Sequence, residues 1–262
     1  MSVEGVDERP VPPFRRLRPG LLGAAALLCV LTFLPPLSHL ATRYELGVVL
    51  RYGLWATVVP ALVALGAPWP DWAVTSSLAR ARSRHPELVR AVGFLALDAL
   101  VIVWWFTPVA VRATVRNPWV AALEALTLIV AGIAFWLELV ESPPFVPRSG
   151  TFRRAVLGAV AMWLLWTQAY LVGMSQSAWY SSFHHVAGRG LSQAADQQVA
   201  AMVLWLIATL VFVPVIFVNA MRWLHSDPEP EAELRRLLKE DRRGRAAFVE
   251  QRGAAVPRAG TG

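Results

Sequence analysis

Residues 118–140 read PWVAALEALTLIVAGIAFWLELV, an apolar run with two carboxylates and no basic residue. A helix needs about 20 mainly apolar residues to cross the roughly 30 Å of hydrocarbon in a bilayer. The apolar residues of this run are continuous and do not alternate with polar ones, which excludes the strand pattern of a membrane barrel. The run therefore predicts a transmembrane helix, which satisfies its backbone N–H and C=O groups internally.

Five further runs of comparable length and composition lie on either side of this one. They cover residues 20–40, 46–67, 89–111, 154–175 and 197–223. The sequence thus predicts an all-α protein, a polytopic integral membrane helix bundle with six transmembrane helices. The composition agrees, because 56% of the residues are hydrophobic and 16% are charged, whereas soluble domains have roughly 25% charged residues.

Charged segments flank the predicted six-helix transmembrane domain, which covers residues 20–224. Residues 1–19 are expected to form a cytoplasmic N-terminal tail. Residues 225–262 form a charged C-terminal tail that is partly helical and then disordered. Its helical part either lies on the anionic inner leaflet or continues the last span as a solvated helix. A signal peptide is the alternative interpretation of the first run, and it leaves the other five spans unchanged.

The basic residues indicate how the chain is oriented. There are 25 Lys and Arg residues, and the formal net charge is +7. In the six-span arrangement, one set of loops and tails holds 20 of them and the other set holds four. Basic loops stay in the cytoplasm, so both termini are predicted to be cytoplasmic. Because the arginines lie between apolar runs, we assign them to lipid phosphates and expect no nucleic-acid partner.

Ionisable residues inside the predicted spans are the first functional candidates, because a charge at the bilayer centre costs about 3 kcal/mol on insertion scales. Asp98 lies near the centre of the third span, where it either lines a functional cavity or bonds to a neighbouring helix in its protonated form. Arg51 and Glu124 lie at equal depth on the second and fourth spans, which predicts an ion pair. Glu138 is close to the inner boundary and is expected to reach water.

A second group of polar residues gathers at the predicted outer face. Thioether and imidazole side chains suit Cu(I), so a copper site is one hypothesis for His39, Met174, His184, His185 and Met202. Adjacent histidines lack the helical spacing of metal ligands, and methionine often fills gaps in a core, so the alternative is a structural role. The sequence has no HExxH, GxSxG or Walker motif, which disfavours an enzyme.

The polar triplet Asp196, Gln197 and Gln198 stands at the start of the sixth span. One interpretation is structural, since a carboxylate and amides at a helix start cap free backbone N–H groups. The other interpretation is functional, with the triplet exposed to a partner. Both are retained at this point.

Four short stretches, in this order along the chain, carry a family resemblance. They are residues 58–68 (VVPALVALGAP), Arg84-His85-Pro86, residues 132–136 (GIAFW) and residues 191–205 (LSQAADQQVAAMVLW). They resemble the PPLLxLGxP, RHP, GxxFW and spLxDQQxAGxxMW segments of the CtaG family of bacterial cytochrome c oxidase assembly proteins. The last segment is the most specific of the four.

The resemblance implies a multi-pass protein of the bacterial plasma membrane that acts in oxidase maturation, at or near the copper-loading stage. Its implied partners are oxidase subunits or other assembly factors. The family usually has seven spans, and this chain aligns without the first. The intramembrane histidines of the family align here with Val48, Tyr52, Phe106 and Ala125. The resemblance therefore implies that this chain does not hold copper with those histidines.

Three functions stay open from the sequence. The first is a membrane chaperone that contacts oxidase subunits through its outer face and lateral helix surfaces. The second is a small transporter or channel, in which Asp98, Arg51 and Glu124 line a polar path. The third is a scaffold that binds a partner and no metal.

Overall fold

The computed structural model describes residues 14–69, 73–83, 86–147, 149–175, 177, 179–180, 183 and 192–226. The chain divides into two compact units, residues 1–219 and residues 220–262. In the second unit the described residues, 220–226, are helical. Most of the predicted N-terminal tail and the predicted C-terminal helix with its disordered end lie outside the described residues.

The described elements are helical, apart from one isolated antiparallel bridge between Ser142 and Phe145. The helices are α1 (Phe14–Leu31), α2 (Leu37–Arg43), α3 (Glu45–Gly53), α4 (Val59–Gly66), α5 (Ala73–Ser83), α6 (Glu87–Trp105), α7 (Pro108–Arg116), α8 (Pro118–Leu139), α9 (Thr151–Met174) and α10 (Gln193–Ser226). A π-helical turn, Leu54–Val58, joins α3 to α4.

Five helical segments of the described chain are long and apolar enough to cross a membrane. They are Glu45–Gly66, Glu87–Trp105, Pro118–Leu139, Thr151–Met174 and Gln193–His225. These segments correspond to the second to sixth runs predicted from the sequence. The all-α class is confirmed with five candidate spans, while the sixth span and the side on which each terminus lies stay predictions.

The first predicted run, residues 20–40, is not one helix. The apolar part of α1, Leu17–Leu31, is shorter than a span, since a helix rises about 1.5 Å per residue and the hydrocarbon is roughly 30 Å thick. Pro35 and Pro36 explain the break, because proline donates no backbone N–H and disfavours helical geometry in the residue before it. A new helix, α2, begins after them.

The third predicted run, residues 89–111, ends earlier than expected. Helix α6 stops at Trp105, and Thr107 starts α7 by accepting a hydrogen bond of 3.4 Å from the Ala110 N–H. The connection to α8 is therefore a short helix. Helices α6 and α8 are antiparallel, because Arg90 near the start of α6 contacts Glu138 near the end of α8, while Trp105 at the end of α6 donates to Thr127.

The second span approaches α8 closely at one glycine. A Cβ on Gly132 would lie 2.6 Å from the side chain of Pro60, which is closer than real Cβ contacts. Glycine at this position lets α8 approach Pro60 of α4 closely. The central core includes Trp55, Leu128 and Phe135, which are fully buried.

Candidate functional site

Asp196 lies at the start of α10 and is buried. Its Oδ2 accepts a hydrogen bond of 2.7 Å from the backbone N–H of Glu45, and its Oδ1 accepts one of 3.4 Å from Leu46. These are the first N–H groups of α3, which have no partner within their own helix. Asp196 therefore caps a different helix from its own, and a carboxylate there also interacts favourably with the positive end of the α3 dipole.

Gln197 is also fully buried, and its side chain contacts the C-terminal end of α9. Its Nε2 donates to the carbonyl of Val172 at 2.8 Å, and its Oε1 accepts from the N–H of Trp179 at 2.9 Å. Weaker contacts reach the carbonyls of Ser175 and Ser177. One amide thus satisfies backbone groups at the end of α9 and in the segment that follows.

The start of α10 is capped by another residue of the same motif. Ser192 Oγ accepts a hydrogen bond of 3.1 Å from the Ala195 N–H, and Gln193 Nε2 donates 2.9 Å to the carbonyl of Tyr180. The capping interpretation predicted that Asp196 and Gln197 bond to backbone groups at the start of their own span. In the structure, Asp196 instead bonds to the start of α3, and Gln197 bonds to the end of α9 and the segment after it. We call Glu45, Val172, Trp179, Asp196 and Gln197 the helix-end cluster.

Arg51 and Glu124, on α3 and α8, lie together as the sequence predicted. Arg51 Nη2 is 3.4 Å from Glu124 Oε2, and the two side chains are 10% and 1% exposed. The Arg51 guanidinium also lies over the Trp55 ring, 4.8 Å from its centroid. Both charges are thus removed from solvent, and each depends on the other for compensation.

Asp98 is buried on α6 and belongs to a different place in the bundle. It lines a cavity of about 50 Å³ with Thr57 and Gln168, among mainly apolar residues. Its Oδ1 has no hydrogen-bond partner in the structure. Glu124 lines a separate cavity of about 10 Å³. The described residues therefore place Asp98 and Glu124 at distinct cavities.

The positions that align with the family histidines meet in the interior. Val48, Tyr52 and Phe106 line the small cavity that Glu124 also lines, together with Glu45 and Tyr180. Glu45, the first residue of α3, is 1% exposed. For Val48, Tyr52 and Phe106, the family resemblance was the one signal in the sequence that pointed to a shared site.

Three aromatic rings lie together at the small cavity that Glu124 lines. The Phe106 ring lies 5.3 Å from that of Tyr52 and 6.0 Å from that of Tyr180. Tyr52 donates 2.8 Å to the carbonyl of Ile102, and Tyr180 donates 2.8 Å to that of Phe106. Burial, with a smaller contribution from Glu45, raises the pKa of the Tyr180 phenol. We call Tyr52, Phe106 and Tyr180 the aromatic cluster.

A larger groove opens beside the helix-end cluster. It has a volume of about 750 Å³ and is almost entirely apolar. Small residues of α9 and α10, including Ala169, Gly173 and Ala201, line it between aromatic side chains. Trp166 stacks on Trp205 with ring centroids 5.2 Å apart. We call this surface, as the described residues form it, the α9–α10 groove.

Comparison with known proteins identifies the family. Residues 6–226 match the family described as cytochrome c oxidase caa3 assembly factor (Caa3_CtaG). The chain belongs to this family. Neither the curated proteins nor the solved structures include a match. The matched region contains all five candidate spans of this assembly-factor family member, together with the helix-end cluster and the aromatic cluster.

Three of the hypothetical copper ligands of this family member lie among the described residues. His39 is exposed on α2, whereas Met174 and Met202 line the α9–α10 groove. His184 and His185 lie outside the described residues. Within the described ranges, no three His, Cys, Asp or Glu side chains lie close enough to hold a metal ion. Gln198 is exposed and also lines the groove.

Glu138 lies at the opposite end of the bundle from the helix-end cluster, and the expectation that it reaches water is wrong. Its carboxylate is fully buried. It accepts from Arg82 Nη2 at 2.6 Å, and from Arg90 Nε at 2.7 Å and Nη2 at 3.0 Å. Burial lowers the pKa of the Arg82 guanidinium, and Glu138 opposes that shift. Sequence reasoning missed this pairing because Arg82 and Arg90 were counted as loop charges.

Proposed function

We propose that this protein acts in cytochrome c oxidase assembly as a non-catalytic chaperone, which holds an oxidase subunit in the membrane by its transmembrane helix. One observation carries the proposal. Asp196 and Gln197, the buried residues of the polar triplet, bind backbone groups at the start of α3 and at the end of α9. The groove that the described residues of α9 and α10 form is open beside them. A rigid frame beside an open apolar groove is suited to binding another helix.

The shape of the α9–α10 groove supports a helix as the occupant. Membrane helices associate through close backbone approach at small residues, since lipid gives little hydrophobic driving force between them. Gly173 contributes a small residue to the lining, while Ala169 and Ala201, at 2% and 6% exposed, form the buried floor of the groove. Trp163 and Tyr170 are each 64% exposed at its rim and offer broad contact area. The family membership makes an oxidase subunit the partner we propose.

The aromatic cluster supports a role without stored copper. Val48, Tyr52 and Phe106 occupy the positions where the resemblance predicts histidines, and none of the three is a copper ligand of the usual kind. In our proposal this protein acts at or near the copper-loading stage by presenting the subunit, and another protein supplies the metal.

A matched pair of tryptophan variants tests the proposal. Trp163 in the groove is 64% exposed, and Trp104 on α6 is 61% exposed away from it. We expect Trp163→Ala to lower assembled oxidase several-fold in a deletion strain, and Trp104→Ala to restore it fully. Both proteins must accumulate to wild-type levels in the membrane. Equal oxidase activity in the two strains would refute the groove as the binding surface.

Photo-crosslinking identifies the partner directly. A photoreactive amino acid at Met202, which is 62% exposed in the groove, should crosslink to an oxidase subunit. The same probe at Leu100, which is 69% exposed on α6, is the control. Crosslinks to an oxidase subunit from position 100 alone would contradict the proposal.

The transporter alternative requires a continuous polar path. Asp98 and Glu124 line separate cavities of about 50 and 10 Å³, which does not favour such a path. Solute or metal flux across vesicles containing the purified protein, abolished by Asp98→Asn, would support transport over assembly.

A further inference from the structure

A basic cavity lies at the end of the bundle where α6 begins and α8 ends. Its volume is about 410 Å³, and three arginines line it: Arg80, Arg82 and Arg90. The remaining wall comes mainly from the segment after α8, including Pro144, Phe145 and Val146. We call it the arginine cavity.

Two of the three arginines of the cavity, Arg82 and Arg90, are held in place by a buried carboxylate. Glu138 is fully buried and accepts from both Arg82 and Arg90. Arg90 Nη1 also donates 2.9 Å to the carbonyl of Arg82, which fixes the two side chains relative to each other. The Arg82 guanidinium further lies over the Phe94 and Phe145 rings, at 5.3 and 5.9 Å from their centroids. The cavity is therefore a preorganised cationic surface.

Among the described residues, the lining of the cavity includes three arginines and no carboxylate. Arg90 donates through Nε and Nη2 to Glu138 and through Nη1 to the carbonyl of Arg82, so its role is to position Arg82. Arg82 uses only its Nη2 on Glu138, and a guanidinium carries further N–H donors in a planar fork. That fork matches the oxygens of a phosphoryl group, to which arginine binds in bidentate fashion.

We propose that the arginine cavity binds a phosphoryl group, carried by an anionic phospholipid headgroup or present as free phosphate. Two features favour the lipid. The cavity lies at the level where candidate span α6 begins and candidate span α8 ends, and lipid headgroups lie at the ends of membrane spans. Its wall is apolar on one side, with Val146 57% exposed, so glycerol and acyl groups have a surface to contact. Basic pockets between membrane helices bind such lipids.

Native mass spectrometry of the full-length protein in mixed phosphatidylglycerol and phosphatidylcholine tests the proposal. We expect retained phosphatidylglycerol with the wild type, and a roughly tenfold loss with Arg82→Gln, because one charge-assisted contact disappears. Arg116→Gln, which removes the same charge from exposed α7, should retain the lipid. Binding of inorganic phosphate to lipid-free protein, with the same dependence on Arg82, would assign the site to free phosphate.

A second variant guards against misfolding of Arg82→Gln, since that change also touches Glu138. Val146→Glu places a negative charge at the cavity wall without replacing any arginine. We expect this charge to abolish phosphatidylglycerol retention. Val109→Glu is the control, since Val109 is 74% exposed on α7. The proposal would be overturned if the wild type retained both lipids equally and phosphate binding did not depend on Arg82. It would also be overturned if Val146→Glu and Val109→Glu lost the lipid equally.

Discussion

The carboxylate of Asp196 at the start of α10 accepts a hydrogen bond of 2.7 Å from the backbone N–H of Glu45 at the start of α3, 151 residues away in the chain. This contact joins the last span to the first of the five candidate spans. It also explains why a carboxylate is tolerated in a buried position, since two backbone N–H groups and a helix dipole stabilise it.

We expect Asp196→Asn to retain most of the stability, because asparagine is nearly as good a cap as aspartate. Asp196→Ala should lower the free energy of unfolding by about 1–3 kcal/mol, because it leaves buried N–H groups unpaired. Thermal unfolding in detergent and the amount of protein in the membrane measure both effects. Normal protein level with failed oxidase assembly in both variants would instead assign Asp196 to partner binding.

Gln197→Leu should be more harmful than its volume change suggests. The amide satisfies the carbonyl of Val172 and the N–H of Trp179, and each buried group left unpaired costs about 1–3 kcal/mol. Gln198→Leu is the control, because Gln198 is exposed. The melting temperature should fall clearly for the first variant and hardly change for the second. Equal melting temperatures would show that water replaces the amide.

The Arg51–Glu124 pair should behave non-additively. Arg51→Leu leaves Glu124, which is 1% exposed, as an uncompensated buried charge, at a cost of about 3–5 kcal/mol. The double variant Arg51→Leu/Glu124→Leu should recover much of that stability, since an apolar pair in the same place carries no desolvation cost. A double-mutant cycle in chemical unfolding measures the coupling. Simple additivity of the two single losses would mean that the pair contributes nothing.

Ala67→Gly should stabilise the protein. Ala67 ends α4 in the left-handed region, with φ 45° and ψ 62°, where a Cβ costs roughly 1–2 kcal/mol. Glycine pays no such cost and is the usual residue at this place in a helix end. We expect a gain of roughly 1 kcal/mol in the free energy of unfolding, reduced in part by the greater flexibility of glycine in the unfolded chain. A lower unfolding midpoint would contradict this.

The sequence predicted the parts of the fold that depend on local composition. Five of the predicted runs exist as span-length helices, and Pro118 begins α8 as its position before an apolar run indicates. Proline also explains the differences. Pro36 precedes the short helix α2 and Pro108 is the first residue of the short helix α7, each inside a stretch that hydropathy alone treats as continuous. Hydropathy averages over a window, so it does not register a single residue that breaks the backbone hydrogen bonding.

Within the candidate site, the sequence predicted only the contact that follows from two charged residues lying at the same depth in their spans. Arg51 and Glu124 were paired from their equal depth, because two charges in hydrocarbon need each other. The partners of Asp196 and the burial of Glu138 were not predictable in this way. They depend on which helix lies beside which, and no local pattern around either residue carries that information.

The amino-acid sequence by itself determined that the chain forms long apolar helices, and which ionisable residues enter them, because both follow from the hydrophobicity of consecutive residues. The tertiary structure alone decided that Asp196 and Gln197 cap α3 and α9, that Tyr52 and Phe106 meet Tyr180, and that Arg82 and Arg90 share Glu138. Those contacts join residues tens of positions apart or more, and only the packing of helices brings such residues within hydrogen-bond or van der Waals distance.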